Sequence, residues 1–258
     1  MLLSRLEGAI GTITMNNDAR RNVISSAFIT ELIAILNEYR AKQVRAVILR
    51  ANPGVQVWSA GHDIKELPPP GNDPLHWSES LPHLVRLIQT FPAPVIGLIE
   101  GSVWGGACEM AMACDIVIAS TSTTFAITPA KLGVPYSING LSTFIRVINP
   151  HILNELLFTG QLLSAERLAD VGAVNYVVPA EELEPLCDSL VARICENSPQ
   201  AIAVMKKGIS ALNSQQDLHV SEFEQLQELR HAVYCSDDYA EGLDAIRSKR
   251  KPNFSGRS

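Results

Sequence analysis

The sequence lacks the features that place a chain in a membrane, on a disulfide scaffold or on a nucleic acid. No run of about 18 apolar residues occurs, so no segment reads as a bilayer-spanning helix. The cysteines Cys108, Cys114, Cys187, Cys195 and Cys235 are odd in number and include no CxxC pair, which reads as buried reduced thiols. None of the six histidines stands at HExxH or similar spacing, so no metal is expected. Positive charge is in deficit: 21 Lys and Arg against 27 Asp and Glu give a net charge of −6. With no stripe of basic and aromatic residues either, neither nucleic acid nor an acidic membrane surface is an expected partner. The opening MLLSRLEGAIG has too short an apolar stretch for a secretory signal, so a reduced, cytoplasmic setting is expected. An acidic chain still accommodates a polyphosphate ligand, because a few lysines and one helix N-terminus suffice locally.

What is present is an ordinary globular composition: 258 residues, 47% hydrophobic and 19% charged, enough for one large domain or a domain with an appendage. Residues 2–15 alternate as two short strands about Glu7-Gly8, and residues 22–39 carry Ile24, Phe28, Leu32, Ile35 and Leu36 at helical spacing, with Ser25 or Ser26 as cap. Strand patterns follow at 46–49, 94–100, 116–119 and 124–127; helical ones lie at 81–90 and from Gly106 to 113. The proline-rich stretch 67–74 reads as an exposed loop. Strands alternating with helices predict an α/β fold with a largely parallel sheet. After Pro179 only helical patterns remain, at 183–196, 199–212 and 221–234. The expected division is therefore an α/β core over 1–180 and a helical region over 181–258, which packs on the core or on a neighbouring subunit.

Chemistry is concentrated in two segments. In Glu100-Gly-Ser-Val-Trp-Gly-Gly-Ala-Cys-Glu109 a buried strand runs into glycines, and a helix starts at the second glycine of Gly105-Gly106. The first N–H groups of that helix have no intrahelical partner, and glycine lets a ligand approach them closely; together they make an anion or oxyanion site. The segment is neither GxGxxG nor a Gly-Lys-Ser/Thr phosphate loop, so nucleotide readings fall away. The second segment, residues 57–67, sets small residues before the polar cluster His62-Asp63-Ile64-Lys65-Glu66. Taken alone, His62 reads as a loop histidine.

Taken together, SAGHDIKEL (59–67) and EGSVWGGACEMAMACD (100–115) resemble the crotonase family, the enoyl-CoA hydratase/isomerase superfamily, and the resemblance runs over nearly the whole chain. It implies a crotonase-like spiral of ββα units, a helical C-terminal region serving oligomerisation, and a homotrimer or dimer of trimers. It also implies an oxyanion hole formed by the backbone N–H groups of His62 and Gly106, with Ala60, Ile64 and Gly105 at the substrate. Lys65 matches a position near the CoA phosphates, and Lys249 matches a tail lysine that reaches CoA from a neighbouring subunit.

The reaction is read from a departure. Enoyl-CoA hydratases use two glutamates on one water; Glu109 stands at the first, but the second falls on Pro129, and no acid occurs in residues 125–133. Proline exchanges no proton, which argues against hydration and weakens an isomerase reading. Leu132-Gly133-Val134-Pro135-Tyr136 follows instead, resembling the branch of the family that decarboxylates methylmalonyl-CoA to propionyl-CoA. Such a reaction implies no biotin and no metal, coenzyme A being part of the substrate. Tyr136 is expected to orient the carboxylate, with Pro135 beside it, and Glu109 to line the pocket. A hydratase or isomerase with relocated groups, a thioester hydrolase and an RNA-associated binding protein are the competing readings.

Overall fold

The chain opens with an antiparallel pair, β1 (Leu2–Glu7) and β2 (Ile10–Met15), closed by a turn in which Gly8 takes a positive φ of 58°. The computed structural model describes residues 1–67, 80–212, 221, 224–225, 228–229, 232 and 236–255. Helix α1 (Ser26–Ala41) begins four residues after Asn22, where the helical spacing starts. The reason is local: Asn22 is left-handed (φ 47°), Ile24 forms a parallel bridge with His62, and Ser25 is the cap, its hydroxyl accepting the Phe28 N–H at 3.2 Å. Of the two serines that the sequence offers as cap, the first serves.

Strands β3 (Ala46–Ala51), β5 (Val95–Ile99), β7 (Ile116–Ser120) and β10 (Tyr176–Val178) extend β2 as successive parallel neighbours, giving the order β1-β2-β3-β5-β7-β10 among the described residues. A smaller sheet stacks β4 (Val57–Ser59), β6 (Ser102–Trp104) and β8 (Thr124–Ala126) in parallel, with β9 (Leu163–Ser164) antiparallel at its edge. The strands β3, β5 and β7 are each followed by a short one in the second sheet and then by a helix: β3–β4 before α2 (Ser80–Gln89), β5–β6 before α3 (Gly106–Met112), β7–β8 before α4 (Ile138–Ile145). This recurring ββα order is the expected spiral. The strand β6 lies inside the stretch that the sequence presents as a glycine-rich turn.

The central strands are buried on both faces, as parallel strands are. Val47, Leu49, Val95 and Val117 point into the main core with Phe28 and Leu32 of α1. Their neighbours Ala46, Ile48, Ile96, Leu98 and Ile118 point the other way and meet Leu183, Cys187 and Val191 of α7 (Leu183–Cys195). Before α7 the chain adds α5 (Pro150–Thr159) and the five-residue α6 (Ala165–Ala169), neither of them among the helices expected from the sequence.

The tail folds onto its own core. The Lys206 ammonium of α8 (Pro199–Leu212) donates to the carbonyls of Ile88 (3.1 Å) and Ala93 (3.3 Å) and pairs with Asp115 at 2.6 Å. Arg45 donates to the carbonyls of Cys195, Asn197 and Phe254, tying down α7 and the segment after α9 (Asp237–Arg247). The helical pattern at 221–234 lies largely outside the described residues, as does most of the proline-rich loop. Among the described residues no helix is long and apolar enough to cross a membrane.

Candidate oxyanion site

Two backbone turns meet where β4 and β6 end. After β4 the chain passes through Ala60-Gly61-His62-Asp63 beside the segment that precedes α1. The Ala60 N–H donates to Arg21 O at 2.8 Å, the Ile24 N–H to Gly61 O at 2.8 Å, and the Asp63 N–H to Ile24 O at 3.0 Å. The Gly61 N–H donates to the Ser59 hydroxyl at 3.2 Å. Of the N–H groups from Ala60 to Asp63, only that of His62 has no acceptor among the described residues. The Asp63 side chain accepts the Lys65 N–H and pairs with Arg20 at 2.8 Å, closing the turn.

The second turn is Gly105-Gly106. Gly105 takes φ 53° and donates its N–H to Ala126 O at 2.8 Å, so α3 starts at Gly106, as the glycines predict. The Gly106 N–H, the first of the helix, likewise has no acceptor among the described residues. The two turns touch because Gly61 has no side chain: a β-carbon there would lie 2.3 Å from Trp104 O and 3.2 Å from the Gly106 nitrogen. A β-carbon on Gly106 would sit 3.8 Å from the His62 nitrogen. Two adjacent free N–H groups, one carrying the positive end of a helix, suit an oxygen that gains charge during a reaction.

A cleft of about 130 Å³ opens at these donors. Ala60, His62, Ile64, Gly105, Gly106 and Tyr136 line it. Pro129 does too, at the start of a 3-10 turn, so the residue standing in the place of an acid faces the site. Leu67, Leu81, Thr128, Leu132 and Val134 complete the wall; nothing in the sequence surroundings marks Leu81 or Thr128, Leu81 being an ordinary buried position of α2. Pro135, Lys65 and Lys249 are exposed and lie outside this wall, as does Glu109.

Tyr136 reaches the cleft from the loop before α4. Its hydroxyl donates to Gly105 O at a long 3.4 Å, and its ring stands edge-on to Phe144 with centroids 5.3 Å apart. Burial, with the nearby Glu109 and Cys108 as lesser causes, holds its pKa well above the ordinary tyrosine value, so it remains a phenol that donates. Glu109 stands on α3 near this ring, 4% exposed, and burial lifts its carboxyl to about 7. The Nδ1 atom of His62 is buried and has no hydrogen-bond partner among the described residues. Cys108 donates to Val103 O and Ala126 O and is pushed up to about 12 by burial, an inert thiol.

Residues 5–257 match the family Enoyl-CoA hydratase/isomerase. Methylmalonyl-CoA decarboxylase of Escherichia coli (strain K12) is 44% identical over 247 residues, covering 96% of this chain and 95% of that one. A crystallised methylmalonyl-CoA decarboxylase in complex with 2-nitronate-propionyl-CoA superposes with a TM-score of 0.81 at 42% identity, over 99% of this chain and 98% of its own. The enoyl-CoA hydratase from Bacillus anthracis superposes with a TM-score of 0.87 at 28% identity, over 99% of both chains. Backbone likeness therefore does not separate decarboxylase from hydratase; side chains do.

Proposed function

The chain belongs to the enoyl-CoA hydratase/isomerase family, and from that premise we propose that it decarboxylates methylmalonyl-CoA to propionyl-CoA and CO2 through a thioester enolate held at His62 and Gly106. One observation carries this choice within the family: among the described residues no carboxylate lines the cleft, whose wall has Pro129 where a hydratase has its second acid, with Tyr136 beside it in the lining. The likeness to the Escherichia coli decarboxylase over nearly the full length supports the same reading.

The chemistry follows from the groups at hand. The thioester oxygen accepts from the N–H groups of His62 and Gly106. The bond from the α-carbon to the carboxylate breaks, CO2 departs, and the electron pair moves onto the thioester oxygen, where the two fixed donors stabilise it. Losing one such donor typically costs about 100- to 1000-fold in rate. Tyr136 orients the carboxylate across the thioester plane with a neutral hydrogen bond. A lysine there would stabilise the substrate carboxylate more than the transition state and slow the loss of CO2. A proton returned to the α-carbon completes propionyl-CoA; water, His62 and Glu109 are the candidate donors.

The exposed Lys65 and Lys249, unpaired among the described residues, contact the CoA phosphates in this reading. The enzyme works without biotin or metal, in the cytoplasm, as a homotrimer or dimer of trimers. The exposed apolar side chains Ile138 (81%) and Phe158 (76%) support burial between copies.

Incubating the protein with methylmalonyl-CoA, crotonyl-CoA and a saturated acyl-CoA, without added cofactors, tests the assignment. Rapid CO2 release from the first is expected. Hydration of crotonyl-CoA at a comparable rate overturns it, and rapid CoA release from the saturated ester points to a hydrolase instead.

A further inference from the structure

The donor at His62 is aimed by groups that never touch the cleft. Ser59, the last residue of β4, is fully buried; its hydroxyl accepts the Gly61 N–H at 3.2 Å and donates to Asn22 O at 2.7 Å. Asn22 is 1% exposed and left-handed, and its amide donates to Trp58 O at 3.1 Å and to Asp18 at 3.4 Å while its Oδ1 accepts the Asn17 N–H at 2.8 Å. The two side chains thus form a clasp across the end of β4. Asn22 fixes the strand end through the Trp58 carbonyl, and Ser59 fixes the following turn through Gly61, one residue before the free N–H.

From this geometry we infer that Ser59 and Asn22 are positioning residues of the oxyanion hole, setting the direction of the His62 N–H from behind. The physical need is clear. Gly61 takes φ 81° and has no side chain to lock its conformation, so the peptide plane that carries the His62 N–H must be held by its neighbours. The Gly61 N–H and Gly61 O, both satisfied, are the two handles on that glycine. The clasp holds the first handle and the bond from Ile24 the second. A donor displaced by a fraction of an ångström loses much of its value to an oxyanion while a ground-state carbonyl hardly registers the change.

The inference rests on the enolate reading, and the experiment keeps the two apart. Affinity is measured for 2-nitronate-propionyl-CoA, whose nitronate carries enolate-like charge, and for CoA itself, in the unaltered protein and in Ser59→Ala, Ser59→Thr and Asn22→Gly. The last variant keeps the left-handed turn and the main-chain carbonyl but removes the amide clasp. Ser59→Ala and Asn22→Gly should each weaken the nitronate ester and lower kcat by about 10- to 100-fold, with CoA affinity and KM changing by less than about twofold. Ser59→Thr, which retains the hydroxyl, should restore most of the loss, and the double variant should lose little more than either single one. Equal weakening of nitronate ester and CoA in the variants, or no weakening of either, overturns the positioning role. If the unaltered protein itself binds the nitronate ester no better than CoA, the enolate reading fails instead.

Discussion

The ring of Tyr136 rests on the backbone of Gly140: a β-carbon at that glycine would lie 2.5 Å from Cδ1 and 2.8 Å from Cε1 of the ring. Contacts that short are not tolerated, so any side chain at Gly140 displaces the ring and its hydroxyl with it. Gly140→Ala should lower kcat for decarboxylation by about 10-fold while leaving KM nearly unchanged, since the loss is one of orientation. Steady-state kinetics check it, and an unchanged kcat would mean that the ring position does not govern turnover.

Tyr136→Phe removes the hydroxyl alone. The edge-on contact with Phe144 and the packing against Gly140 survive, so the fold is unaffected. Turnover should fall on the order of 100-fold with CoA affinity preserved. A variant that decarboxylates at the original rate removes Tyr136 from the mechanism.

Glu109 gives stability a pH dependence of defined sign. Burial lifts its folded pKa from 4.5 to about 7. Between those values the folded chain holds a proton that the unfolded chain has released, so this contribution falls as pH rises through the window and levels off above it. The full shift is worth on the order of 3 kcal/mol. Glu109→Gln should flatten that slope and be the more stable form at about pH 8, as urea unfolding from about pH 5 to pH 8 reports. Parallel stability curves for the two proteins would show that the carboxyl ionises as freely in the folded chain as in the unfolded one.

The tail is held by a partly exposed ion pair. Lys206→Met takes the ammonium from Asp115, which keeps the Val95 N–H, and should destabilise the protein by about 1 to 3 kcal/mol. Pairing it with Asp115→Asn should recover part of that cost. Thermal unfolding measures both, and a Lys206→Met protein of normal stability would mean that α8 is not anchored through this pair.

Much of this molecule is legible in the chain alone, where the pattern is long or chemically exclusive. The 2–15 hairpin, the buried runs of β3, β5 and β7, and α7 and α8 all repeat their period often enough to be seen. The helix start at Gly106 is equally plain, because a glycine pair after a buried strand permits little else. Of the short elements, the apolar β8 was read but others were silent: β6 has three residues, β9 two and α6 five, too few to establish a period. The start of α1 was read early, because Ile24 fits a helical face but is spent on a bridge to His62.

The site divides in the same way. The sequence by itself determined the resemblance that implies His62 and Gly106 as donors and an acid lost at Pro129, since SAGHDIKEL and EGSVWGGACEMAMACD are matters of residue type at fixed spacing. Tertiary structure decided what faces what. It set Pro129 and Tyr136 in one wall, and it put the buried Glu109 close to Tyr136. It also brought Asn22 to Ser59, a pairing across 37 residues that no local period can announce. A hydrogen bond between segments depends on how two turns stack, and that is fixed only when the strands beneath them have found their register.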